Sequence, residues 1–406
     1  MQRLIGAVLN RAPHWLLDLV EWMLQRDSRL IRWVKRRAAA GQPVPQPVLP
    51  SAAAETRVFI GPFNYAGQAW QWARSLEADE RVSARNLTVT FSNDLGFQSD
   101  DRVPAPVFAG SELWRERQRA AFASYTHVVI ESFTSTLGYG RAAGLEREIR
   151  WHLDAGRRVA LLCHGTDIRS PEGHRARTMH SPFAEMDRAD ERLERRVAQN
   201  KRVLSQVDVP VYYSTPDLVH DVPRGVWLPL VVAPERWEDA AAEASTAPGE
   251  RKVPVVLHAP TSAKVKGTAA VERAIAQLGE SVEYRPLSGI PSHEMPEHVA
   301  DADIVIDQLL LGSYGVAACE AMAAGRAVVG NVDEQVREVV RRASGFELPV
   351  IQATPDDLAQ VLARLAADPS EIAEAAGRGP GFVRAVHSGA HTLKAMGDFL
   401  GLEHSV

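Results

Sequence analysis

The chain has 406 residues, of which 45% are hydrophobic and 24% charged, and this length exceeds what one α/β core normally accommodates, so two domains are expected. The net charge of −5 provides no global basic field, and a nucleic-acid partner is therefore not expected. Cys163 and Cys319 lie far apart in separate apolar runs, which predicts buried, reduced thiols of a cytoplasmic protein.

Residues 1–40 combine tryptophans and leucines with an excess of arginine and lysine over acidic residues. This composition predicts one or two amphipathic helices, and it leaves two interpretations open. The helices could lie on an anionic membrane surface, or they could be an extension packed on the main fold. The N-terminus lacks the cleavage site of a secretory signal, and no apolar run is long enough to span a membrane. A Pro-rich linker, residues 42–50, completes an N-terminal extension over residues 1–50.

Short apolar runs alternate with helical patterns from Arg57 onward, which predicts a parallel sheet covered by helices over residues 51–235. Three helix starts are predicted where a hydroxyl residue precedes a proline: Ser181-Pro182, Thr215-Pro216 and Thr354-Pro355. The candidate strands of this part are RVFIG, LTVTF, HVVIE, RVALLC and VPVYYS.

A low-complexity stretch at 238–252 interrupts the alternation, which then restarts and predicts a second domain over residues 236–386. Residues 387–406 contain a last helix that could return to the first domain. The predicted fold class is α/β, with two doubly wound Rossmann-like domains facing a central cleft and an N-terminal helical extension. The candidate strands of the second domain are VPVVLHA, VEYRPL, DIVID, RAVVG and ELPVI.

Ligands of open parallel sheets bind beyond the carboxyl ends of the strands, and this rule selects two loops in the first domain. In the loop after RVFI, Gly61 and Gly67 would let the backbone approach a ligand, while Asn64 and Gln68 could hydrogen-bond it. A simple strand-to-helix turn is the alternative interpretation of this loop.

The loop after RVALLC contains His164, Asp167 and Arg169 within six residues, and it is the best site candidate of the first domain. His164 follows the strand directly, so its imidazole would face the cleft and could exchange a proton with a sugar hydroxyl. We therefore predict that His164 and Asp167 contribute to catalysis and that Arg169 lines the cleft.

Two segments of the second domain predict a nucleotide site. Lys264 and Lys266 precede a helix that begins near Gly267-Thr268, and cations at a helix N-terminus suit a diphosphate. Asp307 and Gln308 end the strand DIVID, and the glycine-containing loop after them leads into a helix that carries Glu320. A carboxylate at that position could bind both hydroxyls of a ribose.

These segments, HAPTSAKVKGT and DADIVIDQLLLGSYGVAACEAMAAGRAVVG, resemble the donor-binding half of the family 4 glycosyltransferases of the GT-B fold. The resemblance implies that Lys266 grips the donor diphosphate and that Glu320 binds the ribose. Where the family has a basic residue and a second glutamate, this chain has Thr261 and Gly312. The basic clamp has therefore either shifted to Lys264 or weakened. The loop expected to hold the sugar and phosphates by its backbone N–H groups comprises Gly312, Ser313, Tyr314, Gly315 and Val316.

The resemblance also implies transfer of a hexose-type sugar with retention of anomeric configuration and without a metal or other cofactor. Lys266 would stabilise the departing phosphate, and His164 would lie near the anomeric carbon. Asp301-Ala302-Asp303 matches the spelling of a DxD metal motif, but it precedes its strand and is predicted to lie at the opposite end of the sheet.

Three hypotheses follow. The chain could be an active transferase that uses a cell-envelope, lipid-linked or polysaccharide acceptor at the cytoplasmic face of a membrane. It could instead be a non-catalytic GT-B scaffold or partner subunit, which the replacements Thr261 and Gly312 favour. A sugar-nucleotide epimerase of the same fold is the third.

Overall fold

The computed structural model describes residues 29–91, 96–140 and 144–402, and within these residues the chain forms two parallel β-sheets covered by helices. The first sheet is built from β1 (Thr56–Gly61), β2 (Val82–Thr90), β3 (Asp101–Pro104), β4 (His127–Glu131), β5 (Arg158–Cys163), β6 (Val211–Tyr213) and β7 (Val226–Trp227). Its order is β3-β2-β1-β4-β5-β6-β7, with every neighbouring pair parallel. Short apolar strands of this kind are buried on both faces, as β4 is over its whole length.

Seven described helices precede the second half. They are α1 (Arg29–Ala39), α2 (Gln68–Leu76), α3 (Ala105–Gly110), α4 (Glu112–Ala121), α5 (Leu145–Asp154), α6 (Pro171–Arg177) and α7 (Arg188–Gln206). Short 3-10 turns lie at Tyr65–Gly67, Phe122–Ser124 and Pro216–His220.

The second half contains a five-stranded parallel sheet of order β12-β11-β10-β8-β9. Its strands are β8 (Val255–His258), β9 (Glu283–Pro286), β10 (Ile304–Ile306), β11 (Ala327–Gly330) and β12 (Val350–Gln352). Its helices are α8 (Pro234–Glu243), α9 (Ala263–Lys266), α10 (Thr268–Leu278), α11 (Met295–Ala300), α12 (Val316–Ala323), α13 (Glu334–Ser344), α14 (Leu358–Ala367) and α15 (Pro369–Val386), and α16 (Ala390–Leu400) follows. A 3-10 turn at Gly279–Ser281 precedes β9.

Each sheet reverses its strand order at one point, and these points position the candidate site. In the first sheet β1 lies between β2 and β4, and in the second β8 lies between β9 and β10. The helices before and after such a point lie on opposite faces, so the loops there separate and leave a crevice. The predicted fold class is thus confirmed in its two doubly wound sheets.

The chain passes between the two halves twice, at neighbouring places. The first passage, residues 228–233, is held by the first half, because the Trp72 indole N–H donates to Pro229 O at 2.8 Å. The second passage follows α15 at His387, whose carbonyl accepts the Val232 N–H at 3.0 Å. Helix α16 then packs against α2, and its Phe399 ring contacts His127 of β4. The last described helix therefore lies on the first half.

Two of the three predicted helix starts are wrong, because both helices begin further along the chain than the proline. The helix expected after Ser181-Pro182 begins at Arg188, where Asp187 caps it and Asp190 completes a capping box. The helix expected after Thr354-Pro355 begins at Leu358, after Asp357 has accepted hydrogen bonds from Thr354. At Thr215-Pro216 a 3-10 turn begins at the proline as predicted.

Helix α1 packs on α3, where the Lys35 backbone lies so close to Gly110 that a Cβ there would overlap it. The Pro-rich segment after it follows the first half, since the Tyr125 hydroxyl donates to Val48 O at 2.7 Å. Residues 1–28 of the predicted amphipathic segment lie outside the described residues. No helix in the described part of the chain is both long and apolar enough to cross a membrane. Cys163 and Cys319 are buried free thiols, as expected.

Candidate functional site

A cavity of about 300 Å³ lies between the two halves at the carboxyl ends of the central strands of the first sheet. The first half supplies most of its wall, and the second half contributes Gly315 and Val316 at the start of α12. Side chains with hydroxyl and amide groups predominate among the remaining lining residues: Tyr65, Ala66, Gln68, Ser132, His164, Thr166, Asp167, Arg169, Arg196, Asn200, Ser214, Thr215 and Leu230.

His164 lines this cavity, and its ring contacts the carboxylate of Glu131, which the sequence analysis did not predict as a site residue. Its Nε2 atom lies 3.0 Å from Oε1 of Glu131, the last residue of the neighbouring strand β4. Glu131 has no exposed surface, and its Oε2 accepts the Phe63 N–H at 3.0 Å. Burial raises the pKa of Glu131, while the hydrogen bond from His164 opposes that shift. The signal available in the sequence was a glutamate that ends the apolar run HVVIE.

Asp167 and Arg169 hold the loop after β5 in shape. The Asp167 carboxylate accepts the backbone N–H groups of His164, at 3.0 and 3.1 Å, and of Gly165, at 2.7 Å. The Arg169 guanidinium is buried and pairs with Asp217, its Nε atom lying 2.7 Å from Oδ2. The carboxylate that contacts the His164 ring is therefore that of Glu131, and the charge of Arg169 is balanced within the protein.

The two amides predicted to bind a ligand in the first loop are bonded to the backbone of the protein. Asn64 accepts the Trp70 N–H at 3.2 Å and donates to Gln98 O at 2.7 Å. Gln68 donates to Val231 O at 2.9 Å and accepts the Val231 N–H at 2.7 Å. Gln68 thus fixes the passage between the two halves and also lines the cavity. Ligand binding by Asn64 and Gln68 stays a prediction.

The backbone favours a glycine at both glycine positions of the same loop, and most strongly at Gly67. Gly67 has φ +77°, a left-handed conformation that side chains rarely adopt, and a Cβ there would lie 3.2 Å from the Phe97 ring. At Gly61 a Cβ would lie 3.2 Å from Leu87 O of the neighbouring strand. Both glycines shape the turn that carries Tyr65 to the cavity.

In the second half, a cation and a helix N-terminus converge on one carboxylate. Asp307 follows β10, and its Oδ1 contacts the Lys266 ammonium at the end of α9. Its Oδ2 accepts the N–H of Gly315, the N-cap of α12, at 2.8 Å. Only 13% of the Lys266 side chain and 1% of the Asp307 side chain are exposed. Lys266 and the Gly315 N–H thus form an anion site at the strand-order reversal of the second sheet, and Asp307 occupies it.

The loop before α12 is tightly packed. Gly312 has φ +65°, and a Cβ there would overlap the carboxylate of Asp333. Ser313 is buried, and its Oγ atom has no hydrogen-bond partner in the described part of the chain. The Tyr314 hydroxyl lies 3.2 Å from Nε2 of the buried His387. Gln308 is also buried, and its backbone carbonyl accepts the Asn331 N–H at 2.9 Å.

Glu320 lies in the second turn of α12 and is half-buried. No ion pair or hydrogen bond joins its side chain to another described residue. Burial raises the pKa of Glu320 to about 8. The attraction of Arg236 and Lys266 opposes this shift, and the repulsion of Asp307 adds to it. An unpaired carboxyl group with so perturbed a pKa is a frequent feature of functional sites.

Lys264 does not lie beside Lys266 in the anion site. Its ammonium reaches the first half, where it lies 2.7 Å from Asp190 Oδ2 and 3.0 Å from Asp187 Oδ2. These carboxylates cap the N-terminus of α7. The position predicted for a second diphosphate-binding cation therefore bridges the two halves.

Asp301 and Asp303, whose sequence matches a DxD motif, lie at the amino end of β10, as predicted. Asp303 accepts the Val255 and Gly249 N–H groups at 2.8 and 3.1 Å, and Arg251 pairs with both Asp301 and Asp303. Among the described residues, no group of three or more histidine, cysteine, aspartate or glutamate side chains is arranged to hold a metal ion.

No protein-family model matches the chain, and no curated protein matches it in sequence. Solved structures do match its fold. Sucrose-phosphate synthase from Thermosynechococcus elongatus is 14% identical, covering 85% of this chain and 98% of its own, with a TM-score of 0.53. Anabaena Alr3699/HepE in complex with UDP and glucose is 11% identical, covering 85% and 99%, with a TM-score of 0.52. WaaG, a glycosyltransferase involved in lipopolysaccharide biosynthesis, is 14% identical, covering 84% and 98%, with a TM-score of 0.50.

At these identities the likeness establishes the fold. The chain has the two-domain architecture of the GT-B glycosyltransferases, as its resemblance to that fold predicts. Membership of family 4, and the role of each site residue, remain predictions.

Proposed function

We propose that this protein is a glycosyltransferase that moves a hexose-type sugar from a nucleoside-diphosphate donor to an acceptor hydroxyl. The observation that carries the proposal is the convergence of Lys266 and the Gly315 N–H on one carboxylate, at the edge of the cavity that contains His164. An ammonium and a helix N-terminus together favour a diphosphate, because both act on the same anion. Structures of the same fold hold UDP, as in Alr3699/HepE.

In the proposed complex the donor phosphates bind Lys266 and the N–H groups of the loop 312–316, and the ribose hydroxyls bind Glu320. Lys266 then stabilises the negative charge that develops on the departing phosphate, which removes the need for a metal ion. Since Asp307 already neutralises Lys266, the incoming diphosphate must share the ammonium with it. The sugar is transferred with retention, as the family resemblance implies.

Thermal stabilisation by nucleotide sugars tests the donor site. A screen of UDP-, GDP- and ADP-sugars should identify one that raises the melting temperature. Lys266→Ala and Glu320→Ala should both abolish that shift, whereas the control substitution of the exposed Lys252→Ala should preserve it. If neither site variant weakens binding of the stabilising nucleotide, the assignment of the site is wrong.

The chemical proposals have their own measurements. Proton NMR of the product at its anomeric position distinguishes retention from inversion. Transfer that persists at an unchanged rate after exhaustive chelation supports a metal-free reaction, whereas loss of activity that divalent ions restore contradicts it.

The acceptor proposed is a cell-envelope, lipid-linked or polysaccharide sugar at the cytoplasmic face of a membrane. The described face of α1 supports this location, because Arg32, Trp33, Val34, Arg36 and Arg37 are all exposed on it, with 57% of Trp33 accessible. Arginines attract anionic headgroups and a tryptophan enters the lipid boundary.

Cosedimentation of the full chain with phosphatidylserine-containing vesicles tests this surface. The double variant Trp33→Ala, Arg37→Gln should bind less, while Phe346→Ala, at an exposed position of the second half, should bind as the wild type does. Equal binding by all three proteins would exclude α1 as the membrane contact.

A non-catalytic GT-B partner subunit is a second candidate, favoured by the internal pairing of the cations around the cleft. Lys264, Lys266 and Arg169 each contact an aspartate. For this function we expect no transfer or donor hydrolysis with any common nucleotide sugar, and a gain of activity when a partner enzyme is added.

A further inference from the structure

Glu131 has a buried carboxylate that contacts one imidazole, that of His164. It ends β4 next to β5 in the sheet, with Glu131 aligned to Leu162, so the next side chains of β5 pass close to it. Its two oxygens have separate donors: Oε1 faces His164 Nε2 at 3.0 Å and Oε2 accepts the Phe63 N–H at 3.0 Å. Because the backbone N–H can only donate, Oε2 must be an acceptor. An ionised carboxylate satisfies both contacts when His164 carries its proton on Nε2.

The ring of His164 is held in this orientation from both sides. The Tyr65 ring meets it edge to face with centroids 4.9 Å apart, and the Trp72 ring stacks on it at 5.7 Å. Since Nε2 is directed at Glu131, Nδ1 is the ring nitrogen left for the cavity. Nδ1 has no hydrogen bond to any described residue. The proton on Nε2 makes Nδ1 a hydrogen-bond acceptor.

The backbone next to Glu131 carries the conformational strain common at functional sites. Ser132 and Phe133 both adopt left-handed conformations, with φ of 50° and 51°, although neither is a glycine. Such a conformation is unfavourable for a residue with a side chain and persists only where the surroundings impose it. Ser132 lines the same cavity as His164.

The cavity wall is suited to a neutral, hydroxyl-rich molecule. Asn200 is 1% exposed, its Nδ2 donates to Asp167 O at 2.7 Å, and its Oδ1 has no partner in the described part of the chain. That oxygen can accept a hydrogen bond from a ligand hydroxyl. The arginines of the wall are engaged, Arg169 with Asp217 and Arg196 with Thr166 O at 3.1 Å. The charge of Arg169 is thus balanced by the Asp217 carboxylate, whereas Arg196 donates to a neutral carbonyl.

We propose that Glu131 is a positioning residue that directs Nδ1 of His164 at the acceptor hydroxyl, and that the cavity binds this acceptor as a neutral sugar or polyol. The proposal rests on the proposed transfer reaction. The acceptor oxygen approaches the anomeric carbon on the face from which the diphosphate leaves and forms a bond to that carbon, while the bond from the carbon to the diphosphate oxygen breaks with its electron pair. The hydroxyl proton passes to Nδ1, and from the imidazolium to water after the product leaves. Glu131 stabilises the imidazolium that forms.

Glu131→Gln tests this arrangement, because an amide has one acceptor oxygen. The Phe63 N–H requires that oxygen, which places the amide NH₂ against His164 Nε2 and reverses the tautomer. Nδ1 then carries the proton and cannot accept one. Transfer should fall in kcat by about 100-fold or more with little change in the KM for the donor, and Glu131→Asp, which retains a carboxylate, should recover part of the loss.

Nitrogen-15 NMR of the imidazole provides a readout that needs no activity, and His164→Asn identifies the signals. The wild type should show an unprotonated Nδ1 and Glu131→Gln an unprotonated Nε2. A wild type with its proton on Nδ1, or a tautomer unchanged by Glu131→Gln, would overturn the proposal. Full transfer activity in Glu131→Gln would do the same while leaving the proposed function intact. The expected tautomer switch without transfer from any donor would instead remove the proposed function.

Discussion

The Lys264 ammonium of the second half lies 2.7 Å from the Asp190 carboxylate of the first half. The passages between the halves lie on the chain at 228–233 and at His387, so this ion pair and the passages fix the relative position of the halves at separate points. Burial lowers the pKa of Lys264, but the hydrogen bonds that its ammonium donates to Asp190 and Asp187, and the attraction of these carboxylates, outweigh burial and raise the pKa overall. The lysine therefore keeps its charge in the contact.

Removal of this contact should loosen the cleft with little effect on stability. Lys264 is 44% exposed, and exposed pairs contribute about 0–1 kcal/mol. We expect Lys264→Gln to lengthen and broaden the distance distribution between spin labels at the exposed positions Asp208 and Glu280. The exposed Lys252→Gln is the matched control. An unchanged distribution in Lys264→Gln would show that other contacts hold the cleft.

Lys266 and Asp307 should behave differently, because their pair is largely buried. Lys266→Met leaves the Asp307 carboxylate without a cation, and loss of one partner of a buried pair costs about 3 kcal/mol. Denaturant unfolding should measure this loss. The double variant Lys266→Met, Asp307→Asn should be more stable than Lys266→Met alone, since it no longer buries an unpaired charge. A double variant that is less stable than the single one would contradict this electrostatic account.

A side chain at Gly312 is predicted to destabilise the protein for two separable reasons. Gly312→Ala places a methyl group in a left-handed conformation and against the Asp333 carboxylate, and it should destabilise the protein by about 2 kcal/mol. Adding Asp333→Ala should recover the part due to the overlap and leave the conformational part. Gly377→Ala, where a Cβ meets open space within α15, should be neutral or stabilising. Free energies of unfolding for the four proteins test both parts.

The raised pKa of Glu320 predicts a pH dependence of stability. Between the ordinary carboxyl value of 4.5 and about 8, the folded state retains a proton that the unfolded state releases. The free energy of unfolding should therefore fall as the pH rises through this range. Glu320→Gln removes that contribution, so its stability relative to the wild type should increase from about pH 5 to about pH 8. A constant difference, like that expected for the exposed control Glu280→Gln, would show that Glu320 titrates normally.

The sequence predicts most strands of both sheets within a few residues, because short apolar runs bounded by turns are local signals. It misses β3 and β7, which have few residues and weak apolar patterns. It also misplaces the helix start at Pro182, where the acidic cap Asp187 lies further along the chain.

The lysine and glutamate of the donor half, Lys266 and Glu320, were found because the pattern around them resembles a known family over a continuous stretch. Their partners were not all foreseen. Lys264 was expected in the anion site and instead pairs with Asp190, 74 residues away in sequence. Gln68 lines the cavity as a candidate ligand contact, but its bonds to Val231, 163 residues away, were not predicted. Contacts of this range depend on how whole elements pack, and local pattern does not contain that information.

The sequence by itself determined the alternation of strands and helices, hence two parallel sheets and the edge of each sheet on which a ligand binds. Local side-chain patterning and the handedness of parallel connections suffice for that much. Only the tertiary structure decided which charges meet. It placed Glu131 against His164 and Asp307 against Lys266, because neighbouring strands and loops distant in sequence end at one edge, where burial makes the pairing of each charge decisive.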